Sequence, residues 1–198
     1  MANWASTTYA VEGSKEILEK IYQAILHPAV NENSSEGWEG NVLKALGIEW
    51  EQFGPNGNGY YMRGFIQDEP YWDSNDHTIL RFYAEEAWGV TDFHKVLEKS
   101  FPEIKVYYEV EEEGMEVYAT NDKEGKYFPE RYWVNICINN DWDSDYFTEE
   151  SLIYTWLSKK TNGEVTDARS VETWNDKHEE LGDDDENFIS IHEIEIVE

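Results

Sequence analysis

The stretch Thr78–Glu112, TILRFYAEEAWGVTDFHKVLEKSFPEIKVYYEVEE, decides the fold. Leu80, Phe82 and Ala84 alternate with other residues, so a half-buried strand is predicted over about 78–85. Thr91 starts a helix whose Phe93, Val96 and Leu97 face one way. Phe101-Pro102 ends it, because proline disfavours helix at the residue before it. Alternation then resumes through Val106, Tyr108 and Val110, giving a strand over Lys105–Glu112.

Working outward, the same succession precedes this unit. Ala5, Thr7, Tyr9 and Val11 share one face of a strand near Trp4–Val11. Gly13-Ser14 opens a helix with Ser14 as N-cap, and Ile17, Leu18, Ile21, Tyr22 and Ile25 form its apolar stripe. The chain is irregular from His27 to Gly59, apart from a helical stretch over Asn41–Leu46 closed by Gly47 and a glycine-rich turn over Phe53–Gly59. A strand follows at about Tyr60–Gln67. The order through residue 120 is β-α-β-β-α-β, which is that of the ferredoxin-like split βαβ arrangement.

A hairpin is expected next. With Glu113-Gly114 as its turn, Val110 pairs with Val117 and Tyr108 with Ala119, while Glu111 faces Glu116. A third unit begins with alternating Tyr132, Val134, Ile136 and Ile138. Thr148 then caps a helix with Leu152, Ile153, Trp156 and Leu157 as its stripe. A polar segment over 161–186 leads to a last strand, Phe188–Val197, with a bulge near His192-Glu193 where alternation slips. The expected class is α+β: a ferredoxin-like core over 1–120 and an added β-α-β unit over 121–198. Helices lie on one face of a mostly antiparallel sheet, in a single domain spanning 1–198.

Two stretches carry a family resemblance. Asn3-Trp4-Ala5-Ser6 is followed by a strand, Gly13 and an amphipathic helix. The run from Phe82 to Gly89 is followed by a helix, Phe101-Pro102, and a strand ending in Glu111-Glu112-Glu113-Gly114. Both resemble the YubB-type ferredoxin-like proteins of bacterial plasmids and phages, over roughly 1–26 and 78–120. Ala5 stands where that family carries cysteine, and no Ser-Pro-Pro follows the second tryptophan. The resemblance implies a ferredoxin-like fold and a mobile-element setting, and no functional residue.

The charge limits function. There are 43 Asp and Glu against 15 Lys and Arg, a formal net of −28 over 198 residues. A surface this acidic repels phosphate backbones and anionic membranes, so direct nucleic-acid binding is not expected. Partners are cations, neutral ligands or, foremost, a basic protein surface. The chain is nonetheless foldable, since 15% of it is aromatic, unlike disordered acidic chains. The single Cys137 precludes an intrachain disulfide and a Cys-based zinc site, and its place in mid-strand predicts a buried thiol. No leader or membrane-spanning stretch is apparent, and the expected compartment is the cytoplasm.

Candidate interaction residues are Glu109, Glu111 and Glu116 on an acidic edge and the run Asp183, Asp184, Asp185, Glu186. Residues from Glu164 onward hold 13 acids and 2 bases. A sharper form of this reading is nucleic-acid mimicry, with carboxylates standing where phosphates would. Asp141, Asp143 and Asp145 have the first half of a calcium-loop pattern. Tyr146 and Leu152 occupy the positions where an EF-hand needs Gly and Glu, so only weak cation binding or an acidic turn before a helix is expected. Asp73, Asp76 and His77 sit in a similar polar turn. No cofactor motif, serine-hydrolase elbow, zincin motif or phosphate loop occurs. The alternative function is a ligand-binding protein or enzyme with an aromatic and acidic cleft. Trp50, Trp88, Trp133 and Trp156 read more simply as packing.

Overall fold

Nine residues form β1 (Trp4–Glu12), with Ala5, Thr7, Tyr9 and Val11 all buried on one face and Ala10 buried on the other. The computed structural model describes residues 3–30, 37–52, 59–181 and 187–197, the side chains of 180 and 181 excepted. The first turn leads to α1 (Lys15–Leu26), and Ser14 occupies the N-cap position without a side-chain cap bond. There follow α2 (Glu39–Ala45), β2 (Gly64–Trp72), β3 (Ile79–Ala87), α3 (Phe93–Ser100) and β4 (Lys105–Glu112). The chain continues through β5 (Val117–Thr120), β6 (Tyr132–Ile138), β7 (Asp141–Phe147), α4 (Glu150–Lys160), α5 (Ala168–Leu181), β8 (Phe188–Glu193) and β9 (Glu195–Ile196). The fold is mixed α+β, with five helices among the described residues and two mostly antiparallel sheets. The predicted glycine-rich turn at 53–59 falls almost wholly outside the described residues.

The chain divides into two units, 1–123 with 196–198, and 124–195. The first holds a sheet of order β2-β3-β1-β4-β5-β9. β1 is antiparallel to both β3 and β4, and β2 is antiparallel to β3. One face of this sheet meets the helices in a core of Tyr9, Leu18, Ile21, Leu80, Phe82, Phe93, Leu97 and Val106. Tyr9 stacks on Phe82 at 4.8 Å and meets Phe93 edge-on at 6.3 Å, both favoured ring geometries.

The second unit holds the sheet β7-β6-β8 and its own core of Val134, Ile136, Ile153, Leu157, Val165, Trp174 and Ile189. It corrects the expected β-α-β extension, because it holds two further elements, β7 and α5. Residues 141–147, where the aspartates suggest a turn, form strand β7 paired with β6 from Ile138↔Asp141 to Tyr132↔Phe147. The polar segment contains α5, which presents Val171 and Trp174 to the core. Thr148 is not the cap of α4; Glu149 holds that position, without a side-chain cap bond.

Two further expectations are corrected. The 3₁₀ turn Glu113–Met115 lengthens the β4–β5 connection, so Val110 pairs with Ala119 and Glu111 with Tyr118. The shift of two residues keeps the apolar face intact and avoids the Glu111–Glu116 opposition. The expected bulge near His192 is instead a break. β8 ends at Glu193, the Ile194 N–H donates to the Arg131 carbonyl at 2.8 Å, and β9 belongs to the other sheet.

Candidate functional site

Glu86 is the most unusual residue of the first unit. Leu80, Phe82, Ala84 and Glu86 point alternately into the helix-covered side of β3, so strand parity drives a carboxylate into the core. Its cross-strand neighbours are Ala5 on β1 and Gly64 on β2, both too small to fill the space. Glu39, the first residue of α2, enters that space. A Cβ on Gly64 would lie 2.2 Å from Glu39 Oε1, so any larger residue there would force the Glu39 carboxyl to move. Both carboxyl groups are fully buried.

Thr91, just before α3, ties the pair together. Its N–H donates to Glu86 Oε1 at 2.8 Å and its hydroxyl to Glu39 Oε2 at 3.0 Å. Tyr9 also donates to Glu86 Oε1, at 2.9 Å. The Thr91 carbonyl accepts from His94 Nδ1 at 2.8 Å, which fixes the Nδ1–H tautomer because a carbonyl can only accept. Burial pushes the Glu39 carboxyl well above the usual carboxylate range, and the neighbouring Glu86 pushes it further. The same causes raise Tyr9, and raise Tyr108 to about 12. Burial lowers His94, keeping it neutral. Burial beside a second carboxyl group thus favours the protonated form of Glu39.

The pair is a lock between β1, β2, β3, α2 and the start of α3 rather than a cleft. Four surface cavities formed by described residues lie elsewhere, and neither Glu39 nor Glu86 lines any of them. The largest, about 650 Å³, lies between α1, α2 and Phe101, with Glu19, Gln23, His27 and Leu46 in its wall.

The acidic residues singled out from the sequence are dispersed. β4 is interior to its sheet, so Glu109 and Glu111 are not on an edge; they are half-buried on the face away from the helices. Glu116 is exposed at the end of the 3₁₀ turn, with φ 54°. The turn nevertheless concentrates charge. Tyr118 is raised to about 12 by burial first and then by Glu113, Glu111, Glu116 and Glu112. Asp183, Asp184, Asp185 and Glu186 lie outside the described residues.

Asp141, Asp143 and Asp145 alternate along exposed β7, on the side that Val134, Ile136 and Ile138 of β6 share. Asp143 is engaged by Lys160 of α4. Inward-pointing charges of this kind prevent an edge strand from pairing with another chain. Asp73 binds Arg81 at 2.8 Å and Asp76 accepts from the Thr78 hydroxyl at 2.7 Å, so these two do not converge with His77. His77 stacks on Trp72 at 4.4 Å. Among the described residues no group of three or more His, Cys, Asp or Glu side chains is arranged to hold a metal ion. Nor is any described helix long and apolar enough to cross a membrane. Cys137 is fully buried, whereas Trp88, expected to pack inside, is 47% exposed in left-handed backbone.

Sequence reasoning missed Glu39 and Glu86. For Glu86 the signal was present: a carboxylate at the inward parity of β3, one step beyond the predicted strand end. No family model, curated protein or solved structure matches the chain.

Proposed function

We propose that this chain is a non-catalytic interaction protein that engages a basic protein surface. The observation that carries this reading is the clustering of Glu111, Glu112, Glu113 and Glu116 within six residues around the 3₁₀ turn, a local negative field within a chain of net charge −28. Such a field steers a cationic partner and weakens with salt. In its sharper form the protein imitates a nucleic-acid backbone, its carboxylates occupying the phosphate sites of a DNA-binding protein. The strand order β2-β3-β1-β4, with α1 and α3 in the crossovers, supports a ferredoxin-like split βαβ core and, through the YubB-type resemblance, a mobile-element setting.

The test is binding to an immobilised basic DNA-binding domain, compared with a triple variant Glu111→Gln, Glu113→Gln, Glu116→Gln. The expected result is salt-sensitive binding that the variant weakens and that duplex DNA displaces. Binding that the variant leaves unchanged removes the acidic turn from the account. Binding that DNA does not displace removes mimicry alone.

The competing reading, an enzyme with an aromatic and acidic cleft, finds a raised carboxyl at Glu39, but that side chain is fully buried and lines none of the four cavities formed by described residues.

A further inference from the structure

We propose that the helix-free face of the first sheet, around Trp4, Tyr71, Tyr83 and Glu85, docks an extended, arginine-bearing segment of a partner protein. This rests on the reading of the chain as a partner for basic surfaces and assigns a place and a pattern to it.

The face follows from strand parity. Residues of β1 and β3 that point away from the helices include Trp4, Ser6, Tyr83 and Glu85, and β2 adds Phe65, Gln67 and Tyr71. Trp4, Tyr71 and Tyr83 are 42%, 43% and 42% exposed, where rings of that size are ordinarily covered. They form two groups: Trp4 against Phe65 at 5.7 Å, and Tyr71 against Tyr83 at 6.4 Å. Ser6 is small and exposed beside Glu85, so the floor between the groups is low.

Three features select a guanidinium. The ring faces attract cations and stack on planar ones. Arg63 of this chain already lies over Trp4, 6.0 Å from its centroid, an internal instance of the contact. The Glu85 carboxylate, held by Gln67 Nε2 at 3.3 Å, can accept two parallel N–H bonds from arginine but not from lysine. The remaining charges favour a cation. Arg81 is matched by Asp73, whereas Asp68 and Glu69 stand exposed where the β2–β3 register shifts.

Spacing adds a pattern. Tyr83 and Glu85 are alternate residues of one strand, ~6.8 Å apart. Alternate side chains of an extended peptide have that same repeat. An Arg-X-Arg segment therefore sets one guanidinium on the Tyr83 ring while the next meets Glu85. An Arg-X-X-Arg segment turns its second arginine away.

The experiment titrates the full chain with two synthetic peptides of equal composition, one with arginine at alternate positions and one with arginine at every third. It is repeated with the double variant Tyr83→Ser, Glu85→Gln. Both positions are exposed, and circular dichroism confirms that the variant is folded. The alternating peptide is expected to bind at least about tenfold more tightly than its isomer, and the double variant is expected to lose about that factor. Equal affinity for both peptides, or a variant that binds like the parent, overturns the proposal. If the double variant Glu113→Gln, Glu116→Gln in the turn then removes the binding, the broader acidic reading survives without this face. If neither peptide binds at low salt, both fall. Self-association abolished by the double variant assigns the face to a second copy of the chain instead, which also overturns it.

Discussion

At the residue scale, Glu39 makes stability depend on pH in a direction opposite to that of a salt-bridged carboxylate. In the unfolded chain it titrates at ~4.3. In the fold, burial and then Glu86 hold it higher, so the folded state keeps a proton that the unfolded state has released. Its contribution is complete below the unfolded value and is lost as pH rises through the folded one. Thermal melts of the parent are expected to decline from mildly acidic to alkaline pH. Glu39→Gln, whose amide can donate to Glu86 without titrating, should flatten that decline and add about 1–3 kcal/mol at the alkaline end. An unchanged slope would show that Glu39 does not hold its proton above the unfolded range. Tyr9→Phe leaves Glu86 one donor short, and a denaturant midpoint should register a loss of about 1–3 kcal/mol.

At the scale of elements, β7 offers the sharpest test. Its Asp141, Asp143 and Asp145 point to the side where β6 carries Val134, Ile136 and Ile138. Replacing all three by threonine keeps strand propensity and removes the edge charge. The expected outcome is self-association, visible by light scattering, with the melting profile of the remaining chain preserved. A monodisperse variant would show that the charges do not guard this edge. The same strand explains why part of the fold was hidden in the sequence. Strands β1, β3, β4 and β6 were legible because apolar residues recur every second position along a buried face. β7 puts aspartate at those positions and so reads as a loop. Helix α5 left a fainter trace in Val171, Trp174 and His178, at spacings of three and four, submerged among charges. The hairpin register could not be read, because it depends on the 3₁₀ turn and on the left-handed Glu116. The carboxyl pair was half legible: parity flags Glu86, but nothing local reveals that Gly64 leaves room for Glu39. Gly64→Ala should therefore destabilise by about 1–3 kcal/mol, or more if Glu39 is expelled, by equilibrium unfolding.

At the scale of the whole molecule, charge governs both stability and association. A net of −28 opposes the folded state through self-repulsion, so added salt should raise the melting temperature by screening it. Each unit must resist this with its own core, one built on Tyr9, Phe82 and Phe93 and the other on Ile136, Leu157 and Trp174. Salt should act in the opposite sense on a basic partner, releasing it as the chain itself becomes more stable. The most direct measurement is the dissociation constant for the alternating arginine peptide across a salt series, by calorimetry. The account predicts detectable binding at low salt that weakens steeply and continuously as salt rises. Binding that is absent at low salt, or indifferent to salt, contradicts it.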